Sequence, residues 1–574
     1  MDSNDKPTER RNRRRFLTQG GTVLAAAALA ACGGQAVAPE ATNAPAADAP
    51  TSAPVSATSA PAAATSVPVA ATSAPVVATS APVAATSAPA QTSLKGQLVL
   101  SLADTVPDDV AQALTAAYKK SQPEVELLWE NPGVDAAGYG TWLSTQLSAN
   151  EIRPDIVSGN YAGYNGYVNF DRYRSTVNPY SGDSWDSTLD WDFFAFRDGS
   201  GARTMLPTRA VHVMWFYNKD IFKKVGVEPP TTWAEFVTVC EKIAAAGITP
   251  VSANFKWQVP QWLVSIYSDP YHVNWVETVR AQPGDWNYNP EVDDKFVFDP
   301  KNPDIHSSYT YNPVRYYAAV RDGKISYDTP EMVDFIRNMS AIFPKYAVPD
   351  FFVIGDPYPP FLTQQAAIMC NGTWALPSLI GDLSDLSPER LEELGIDSSD
   401  VKTFEWGTFE NPSMEGPLIK GPVRSVESAT GEYLSIIDKE QAQTELALDF
   451  LQFWTSTSGY QTWIDASVAH GSYAPGGPPK VRGVKEPAEI EAIFQDIKFI
   501  GNAEANYNNF MTWGSPKVSQ TSSNLYKEAL EGKITPENFA KQFQELVMAA
   551  FPDTMETLNI TNDNLDNPAI QPTK

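Results

Sequence analysis

The sequence contains few residues of the types that usually carry catalysis or metal binding. Its 574 residues include three cysteines and four histidines, and no two cysteines have the C-x-x-C spacing of a zinc or redox site. The motifs G-x-S-x-G of serine hydrolases, H-E-x-x-H of zinc proteases and the Walker loop are also missing. The sequence therefore predicts neither a metal nor a cofactor, and it argues against the common hydrolase classes.

Positive charge is also scarce. Lysine and arginine total 42 against 68 aspartate and glutamate, which gives a net charge of −26. A nucleic-acid partner is excluded on this ground, because binding phosphates requires a basic face. After residue 32 no apolar run reaches the 18 or more residues of a membrane span. Contact with a membrane is therefore expected only through the N-terminus.

Aromatic residues are missing from residues 33–94, which include five copies of a seven-residue repeat. The copies begin at Ala57, Ala64, Ala71, Ala78 and Ala85, and each reads A-T-S-(A/V)-P. A proline in every copy breaks any helix, and no large apolar side chain is available for a coiled-coil seam. We expect residues 32–94 to be a disordered linker between an anchor and a folded region that begins near residue 95.

The first residues are typical of an export signal. Arg13 and Arg14 stand in R-R-R-F-L, close to the twin-arginine pattern, and a mildly apolar run follows them. The general secretory route is the alternative. Leu29-Ala-Ala-Cys32 resembles a bacterial lipobox, so residues 1–31 are expected to be removed and Cys32 to carry lipid. A signal peptide with an incidental cysteine is the other interpretation. Lipid chains would hold the protein on the outer face of the cytoplasmic membrane.

The folded region begins with a β-α-β-α-β pattern. Short apolar strands are predicted at 97–102, 125–130 and 154–157, with amphipathic helices between them. Such units form open, mostly parallel α/β sheets, which bind ligands beyond the carboxyl ends of their strands. Asp104, Asn160 and Tyr161 follow the first and third strands, and they are therefore candidate ligand-binding residues.

Three blocks carry a resemblance to a known family. They are Tyr217-Asn-Lys-Asp220 with the P-x-T-T-W-x-E helix start after it, Gln365-Ala-Ala367 leading to Asn371-Gly-Thr-Trp374, and Glu531-Gly-Lys-Ile-Thr-Pro-Glu537. In this order behind a lipobox they resemble the extracellular solute-binding proteins of family 1, which are maltodextrin and oligosaccharide receptors of bacterial ATP-driven (ABC) importers. The resemblance extends from residue 95 to about residue 550.

This resemblance implies a two-lobed Venus-flytrap fold that closes over its ligand, with an ABC permease as partner. Each lobe is expected to be a mostly parallel sheet flanked by helices. The boundaries implied are 1–31 signal peptide, 32–94 linker, 95–212 plus 410–472 first lobe, 213–409 plus 473–556 second lobe, and 557–574 tail. Residues 265–330 look longer than the equivalent part of compact members.

A sugar site needs aromatic rings for the flat pyranose faces and polar groups for the hydroxyls. The resemblance places Trp374 and Trp513 at stacking positions, and the sequence adds Trp257 beside Gln258. Tyr473 matches a segment that crosses between the lobes. Asp104 and Asn160 would orient hydroxyls. Core packing is the alternative for each tryptophan.

Other candidates have plainer interpretations. His212 and Cys240 lie among apolar residues and are expected in the core. Cys240 and Cys370 form either a disulfide or two buried thiols. The acidic residues at 183, 186, 190 and 192 read as solvated surface rather than a calcium site. The acidic balance disfavours an anionic ligand unless a local arginine such as Arg209 overrides it. A lipid-anchored glycosidase and a receptor for a non-sugar solute remain the alternatives to a sugar receptor.

Overall fold

Two β-sheets organise the chain into two α/β lobes. In this computed structural model the described residues are 93–134, 136–149, 151–159, 164, 166–191, 202–256, 258–384, 386–425, 433–495, 497, 501 and 516–572. The strands are β1 Lys95–Ser101, β2 Glu124–Trp129, β3 Ile156–Ser158, β4 Leu206–Pro207, β5 Val213–Asn218, β6 Thr249–Ser252, β7 Ala366–Gly372, β8 Trp406–Phe409 and β9 Tyr433–Ile436.

The first sheet has the strand order β2-β1-β3-β9-β4. Strand β1 pairs in parallel with β2, where Leu98 lies beside Leu127, and with β3. Strand β9 comes from much later in the chain and is antiparallel to both β3 and β4. It therefore joins the N-terminal β-α-β-α-β unit to the short strand β4.

The second sheet has the order β6-β7-β5-β8. Strands β6 and β7 are parallel, whereas β5 is antiparallel to both β7 and β8. The expectation of mostly parallel sheets is therefore met only in part, and both sheets are mixed. The physical reason is the connectivity: β5 and β9 enter their sheets directly from the other lobe, without the crossover helix that a parallel connection requires.

Helices cover both sheets. They are α1 Asp108–Tyr118, α2 Ala136–Leu147, α3 Trp185–Thr188, α4 Lys219–Val225, α5 Trp233–Ala245, α6 Val264–His272, α7 Val276–Val279, α8 Pro290–Asp293, α9 Pro313–Arg321, α10 Pro330–Ile342, α11 Tyr358–Leu362, α12 Ala375–Ser384, α13 Pro388–Leu394, α14 Gln441–Trp454, α15 Thr457–His470, α16 Ala488–Phe494, α17 Pro516–Leu530, α18 Pro536–Leu558 and α19 Asn562–Asp566. A π-helical segment spans Gln258–Leu263, and short 3-10 turns span Phe170–Arg172, Val273–Trp275 and Ile305–Ser307. None of the helices within the described ranges is long and apolar enough to cross a bilayer.

Local sequence signals explain several helix ends. Thr232 and Glu235 form the predicted capping box at the start of α5, in which each side chain accepts a hydrogen bond from the other residue's backbone. Thr535 caps α18, with Pro536 at the first helical position. The expected core role of Cys240 on α5 is confirmed, and Cys240 and Cys370 are both free, fully buried thiols.

Each sheet has its own apolar core. In the first lobe Trp185, Trp191 and Phe170 pack edge to face or tilted around one another beneath β3 and β9. In the second lobe one cluster of buried residues includes Trp215 and Phe236, and a separate cluster includes Met214 and Phe216. Neighbouring residues of β5 thus point alternately into the two clusters, as a strand buried on both faces requires.

Residues 265–330, expected to be an insertion, are folded into the second lobe as α6 to α9. A buried ionic network fixes them. The Arg424 guanidinium donates to Asp269 and to the carbonyl oxygens of Asn302 and Pro303, and Asp269 also contacts His306 Nε2 at 2.6 Å. Burial alone would raise the pKa of Asp269, but the cationic Arg424 and the contact with His306 hold it below its ordinary value.

Candidate functional site

Both sheets turn the carboxyl ends of their parallel strands toward the segments that connect the lobes. Strands β1, β2 and β3 end at the edge of the first sheet where β4 leaves and β9 begins. Strands β6, β7 and β8 end at the edge of the second sheet where β5 begins. The chain passes from one sheet to the other at residues 208–212, again between β8 and β9, and a third time after α15. The candidate site lies there, where α/β sheets usually bind ligands.

The loop after β1 holds Asp104 in place from both sides. Ala103 N–H donates to the hydroxyl of Ser158 at 3.0 Å, and the side-chain amide of Asn131 donates to the hydroxyl of Thr105 at 3.0 Å. Asp104 itself is exposed, yet burial by the surrounding protein raises the pKa of its carboxyl. Asp104 is thus an exposed carboxylate just beyond the carboxyl end of β1.

Trp374 lies two residues after the end of β7, an inner strand of the second sheet, and is half-buried. Its ring lies against Gly372, where a Cβ atom would come within 2.2 Å of a ring carbon. The buried ring of Trp262 packs beside it, with a distance of 5.3 Å between ring centroids. A side chain at position 372 would therefore have to displace the Trp374 ring, which packs between Gly372 and Trp262 and keeps part of its surface in solvent.

A second exposed carboxylate, Asp356, lies on the same lobe as Trp374. It is exposed, and burial of its surroundings raises the pKa of its carboxyl, although the hydrogen bond from Tyr358 N–H lowers it. The loop that carries it is anchored by Asn254, whose side-chain amide donates to Gly355 O at 3.2 Å. Asn254 in turn exchanges two hydrogen bonds with Gln258, at the start of the π-helical segment.

Arg209 and Tyr473 join two of the crossing segments. The Arg209 guanidinium donates to Glu486 at 2.9 Å, to Gly477 O at 2.7 Å and to the Tyr473 hydroxyl at 2.6 Å. The Tyr473 hydroxyl donates in turn to Glu486. Burial raises the pKa of Tyr473, and the Glu486 carboxylate adds to this increase, whereas the positive charge of Arg209 opposes it. Arg209 is buried and engaged, so it is not available to a ligand anion. The hydroxyl of Tyr473 is likewise committed to the protein.

Thr373 connects the same crossing to the edge of the second sheet. Its hydroxyl donates to Gly476 O, and its backbone pairs with His212, since Thr373 N–H donates to His212 O at 3.0 Å. Gly477 lies so close to the neighbouring strand that a Cβ atom would be 1.7 Å from the Ala210 carbonyl oxygen. Hydrogen bonds through Thr373 therefore join the segment at 208–212 and the segment at Gly476 next to Trp374.

His212 is completely buried, as the sequence predicts, and it carries a carboxylate partner. Its Nε2 lies 2.6 Å from Glu410 Oε2. The Glu410 side chain keeps 37% of its surface exposed, whereas its neighbours Phe409 and Asn411 are buried. Glu410 thus stands at the end of β8 with part of its side chain in solvent.

Four of the predicted ligand residues lie outside the described residues, namely Asn160, Tyr161, Trp257 and Trp513. The same is true of Cys32, Arg13 and Arg14. Of the predicted set the structure describes Asp104, Trp374 and Tyr473, which stand at the edge of the first sheet, at the edge of the second sheet and in the connection between the lobes.

The predicted acidic surface is described at three of its four positions. Asp186 pairs with Arg174 at 2.6 Å and Asp190 with Lys480 at 3.5 Å. Within the ranges given above, no group of three or more histidine, cysteine or acidic side chains could hold a metal ion. Sequence reasoning did not identify Glu410 or Asp356 as site residues. Their only local signal is that an acidic residue follows an apolar segment.

Comparisons with known proteins agree with this architecture. The sequence matches the profile of the bacterial extracellular solute-binding protein family over residues 103–461. A chitin oligosaccharide binding protein is similar in structure, with a TM-score of 0.50 and 16% identity over 80% of this chain and 99% of that chain. A structure described under xylan utilization by the thermophilic bacterium Caldanaerobius polysaccharolyticus has a TM-score of 0.50 and 16% identity, over 78% of this chain and 99% of that one.

No curated protein matches the sequence. The profile match nevertheless spans more than half of the chain, and it covers the edges of both sheets and two of the connections between them. It confirms the two-lobed fold and the resemblance drawn from the three sequence blocks. The chain belongs to the bacterial extracellular solute-binding protein family.

Proposed function

We propose that the protein is the lipid-anchored substrate receptor of an ABC importer, which captures a sugar or oligosaccharide between its lobes and delivers it to the permease. The observation that carries the proposal is the set of groups near the carboxyl ends of the strands, namely the half-buried Trp374 ring and the exposed carboxylates of Asp104 and Asp356. A sugar offers an apolar face to the Trp374 ring and hydroxyl donors to the two carboxylates.

The engagement of Arg209 supports a neutral ligand. A free Arg209 could have bound an anionic ligand in spite of the negative net charge of the protein. Its guanidinium instead donates hydrogen bonds to Glu486, Gly477 and Tyr473. The neighbours described for chitin oligosaccharide and xylan utilization agree with an oligosaccharide ligand, although their low identity supports the fold alone.

A thermal-shift screen tests the proposal. The panel contains maltotriose, xylotriose, triacetylchitotriose, raffinose, monosaccharides, polyols and a few phosphorylated and sulfonated solutes. A ligand that binds only the folded protein raises the unfolding temperature. We expect a neutral saccharide to do so, with no release of reducing ends. A shift with charged solutes alone would refute the sugar proposal, and released reducing sugar would favour the hydrolase.

We propose that ligand contacts come from Asp104, Asn160 and Tyr161 on the first lobe and from Trp257, Trp374 and Trp513 on the second. Tyr473 would act in the connection between the lobes. Trp374→Ala should weaken binding of the best saccharide at least tenfold, about 1.4 kcal/mol, because it removes the stacking face. Unchanged affinity by calorimetry in a Trp374→Ala, Trp513→Ala double variant would show that these rings do not contact the ligand.

Hinge closure is part of the proposal. The first sheet takes β9 from the chain that follows the second sheet, and residues of α17 and α18 pack in the core of the second lobe. Both observations support lobes of 95–212 plus 410–472 and 213–409 plus 473–556. A ligand that contacts both lobes favours the closed population. Small-angle scattering should therefore show a smaller radius of gyration with the saturating saccharide. An unchanged scattering profile at saturation would refute closure.

We propose that the mature protein begins at an acylated Cys32 and stays on the outer face of the cytoplasmic membrane. Cys32→Ser should move it from the membrane to the soluble fraction with no change in saccharide affinity, because the long linker separates the anchor from the lobes. A soluble variant that lost saccharide binding would place the N-terminus in the site.

A further inference from the structure

We propose that Glu410 contacts the ligand directly and selects hydrogen-bond-donating groups, with His212 as the positioning residue that orients its carboxylate. The proposal rests on the proposed sugar-receptor function and names an acceptor that no sequence motif identified.

The first argument is position. Residues paired across strands point to the same side of a sheet, and the register of β5 with β8 sets Glu410 just beyond the last paired residue, Phe409. This is the end of the second sheet at which β7 gives way to Trp374. Glu410 is also the first residue of the connection that leads to β9 in the other lobe. Glu410 therefore lies where the second lobe gives way to the connection between the lobes.

The second argument is exposure. Asn411 turns inward, where its side chain bonds Trp215 Nε1 at 2.9 Å and Val213 O at 2.7 Å. Glu410 points away from it and keeps 37% of its surface exposed. Only its Oε2 is engaged, by His212. In the part of the chain that the structure describes, Oε1 accepts no hydrogen bond.

The third argument is the free-energy cost of burying the His212 imidazole. A completely buried imidazole on an otherwise apolar strand gives up its hydration, which an apolar residue would not. Because a carboxylate only accepts hydrogen bonds, the imidazole Nε2 must carry the hydrogen and donate to Oε2. The backbone of His212 is held by Thr373, immediately before Trp374. These contacts link the Glu410 carboxylate, through His212, to Thr373, the residue before Trp374.

These features define the chemistry of the ligand group. A carboxylate oxygen aimed into the cleft accepts a hydrogen bond from a hydroxyl or an amine and repels an anion. A pyranose stacked on Trp374 carries hydroxyls around its rim, so one ligand can use both residues. We expect Glu410 to contribute to saccharide affinity and to discrimination against uronic acids at the same subsite.

Glu410→Gln tests the assignment with little change in size. The glutamine carbonyl must accept from His212, so its amide turns an N–H donor toward the cleft. The matched control is Glu405→Gln, which changes an exposed side chain at the other end of β8. Calorimetry is run with xylotriose, maltotriose, triacetylchitotriose, raffinose and trigalacturonic acid, and the unfolding temperature of each ligand-free variant is measured.

The expected result is that Glu410→Gln weakens binding of the best neutral trisaccharide at least tenfold and lowers its preference over trigalacturonic acid. Glu405→Gln should match the wild type, and the ligand-free unfolding temperatures should agree within about 2 °C. Equal affinities in Glu410→Gln and the wild type would overturn the assignment and leave the sugar-receptor proposal intact. If the wild type bound none of the neutral trisaccharides, the sugar-receptor proposal would fail, and this assignment with it. A large drop in ligand-free stability, with affinity retained, would assign Glu410 a structural role.

Discussion

Breaking the Arg209–Glu486 ion pair should destabilise the protein more than any surface pair can. The two side chains are only 4% and 5% exposed, and the atoms Nη1 and Oε1 are 2.9 Å apart. Arg209→Met keeps most of the side-chain stem but leaves Glu486 as a buried carboxylate with the Tyr473 hydroxyl as its remaining donor in the triad. Leaving a buried charge without its partner typically costs about 3–5 kcal/mol.

The double variant Arg209→Met, Glu486→Leu removes both charges. Replacing a buried ion pair by apolar residues of similar size is often close to neutral. The remaining cost comes from the Tyr473 hydroxyl, which loses both partners, and amounts to about 1–3 kcal/mol. The double variant should therefore be more stable than Arg209→Met alone. The coupling free energy in a double-mutant cycle should be at least about 2 kcal/mol.

Chemical denaturation measures these differences through the transition midpoint. The matched control is the exposed pair Arg337–Glu537, whose side chains are 59% and 62% exposed, and Arg337→Met should cost less than about 1 kcal/mol. If Arg209→Met cost no more than this control, or if the double variant equalled the sum of its single variants, the pair would not hold the crossing segments together.

Three further predictions concern the fold. Gly477→Ala should lower the unfolding temperature, because its Cβ would overlap a backbone carbonyl in the neighbouring crossing, whereas Gly381→Ala, with open space around it in α12, should leave it unchanged or raise it. Burial lowers the pKa of His272 to about 4, so the unfolded chain takes up a proton first as the pH falls, and stability should decrease between about pH 6.5 and pH 4. A His272→Phe variant should show a flatter denaturation profile in that window, and an equally steep profile would contradict the assignment. Burial raises the pKa of both Cys240 and Cys370, so neither thiol should react with a chromogenic disulfide reagent until the protein is denatured, and rapid reaction of the native protein would contradict their burial.

Local elements could be predicted well because their signals are local. The strand near Leu98, the capping box at Thr232 and the burial of Cys240 each depend on residues within a few positions of one another. The two lobes were inferred from the family resemblance, and the profile match confirms them.

The candidate site was less accessible to sequence reasoning because its contacts join distant parts of the chain. Glu410 meets His212 across 198 residues, and Arg209 meets Glu486 across 277. No periodicity encodes such pairs. An acidic residue after an apolar strand resembles any exposed carboxylate until the sheet register is known. The role of Tyr473 stays a prediction, and its hydroxyl partner Arg209, which is 264 residues away, could not be read from its neighbours in the sequence.

The insertion of β9 between β3 and β4 sets an order on assembly. The second sheet has all of its strands once Phe409 has been synthesised, whereas the first sheet lacks its linking strand until Ile436. The sheet that begins first in the sequence is therefore completed last, and until then its β3 and β4 have unpaired edges, which are prone to aggregation. If the chain crossed a membrane pore unfolded, β9 of the first sheet would emerge only after about three quarters of the chain had crossed. Export in the folded state would avoid that exposure outside the cell.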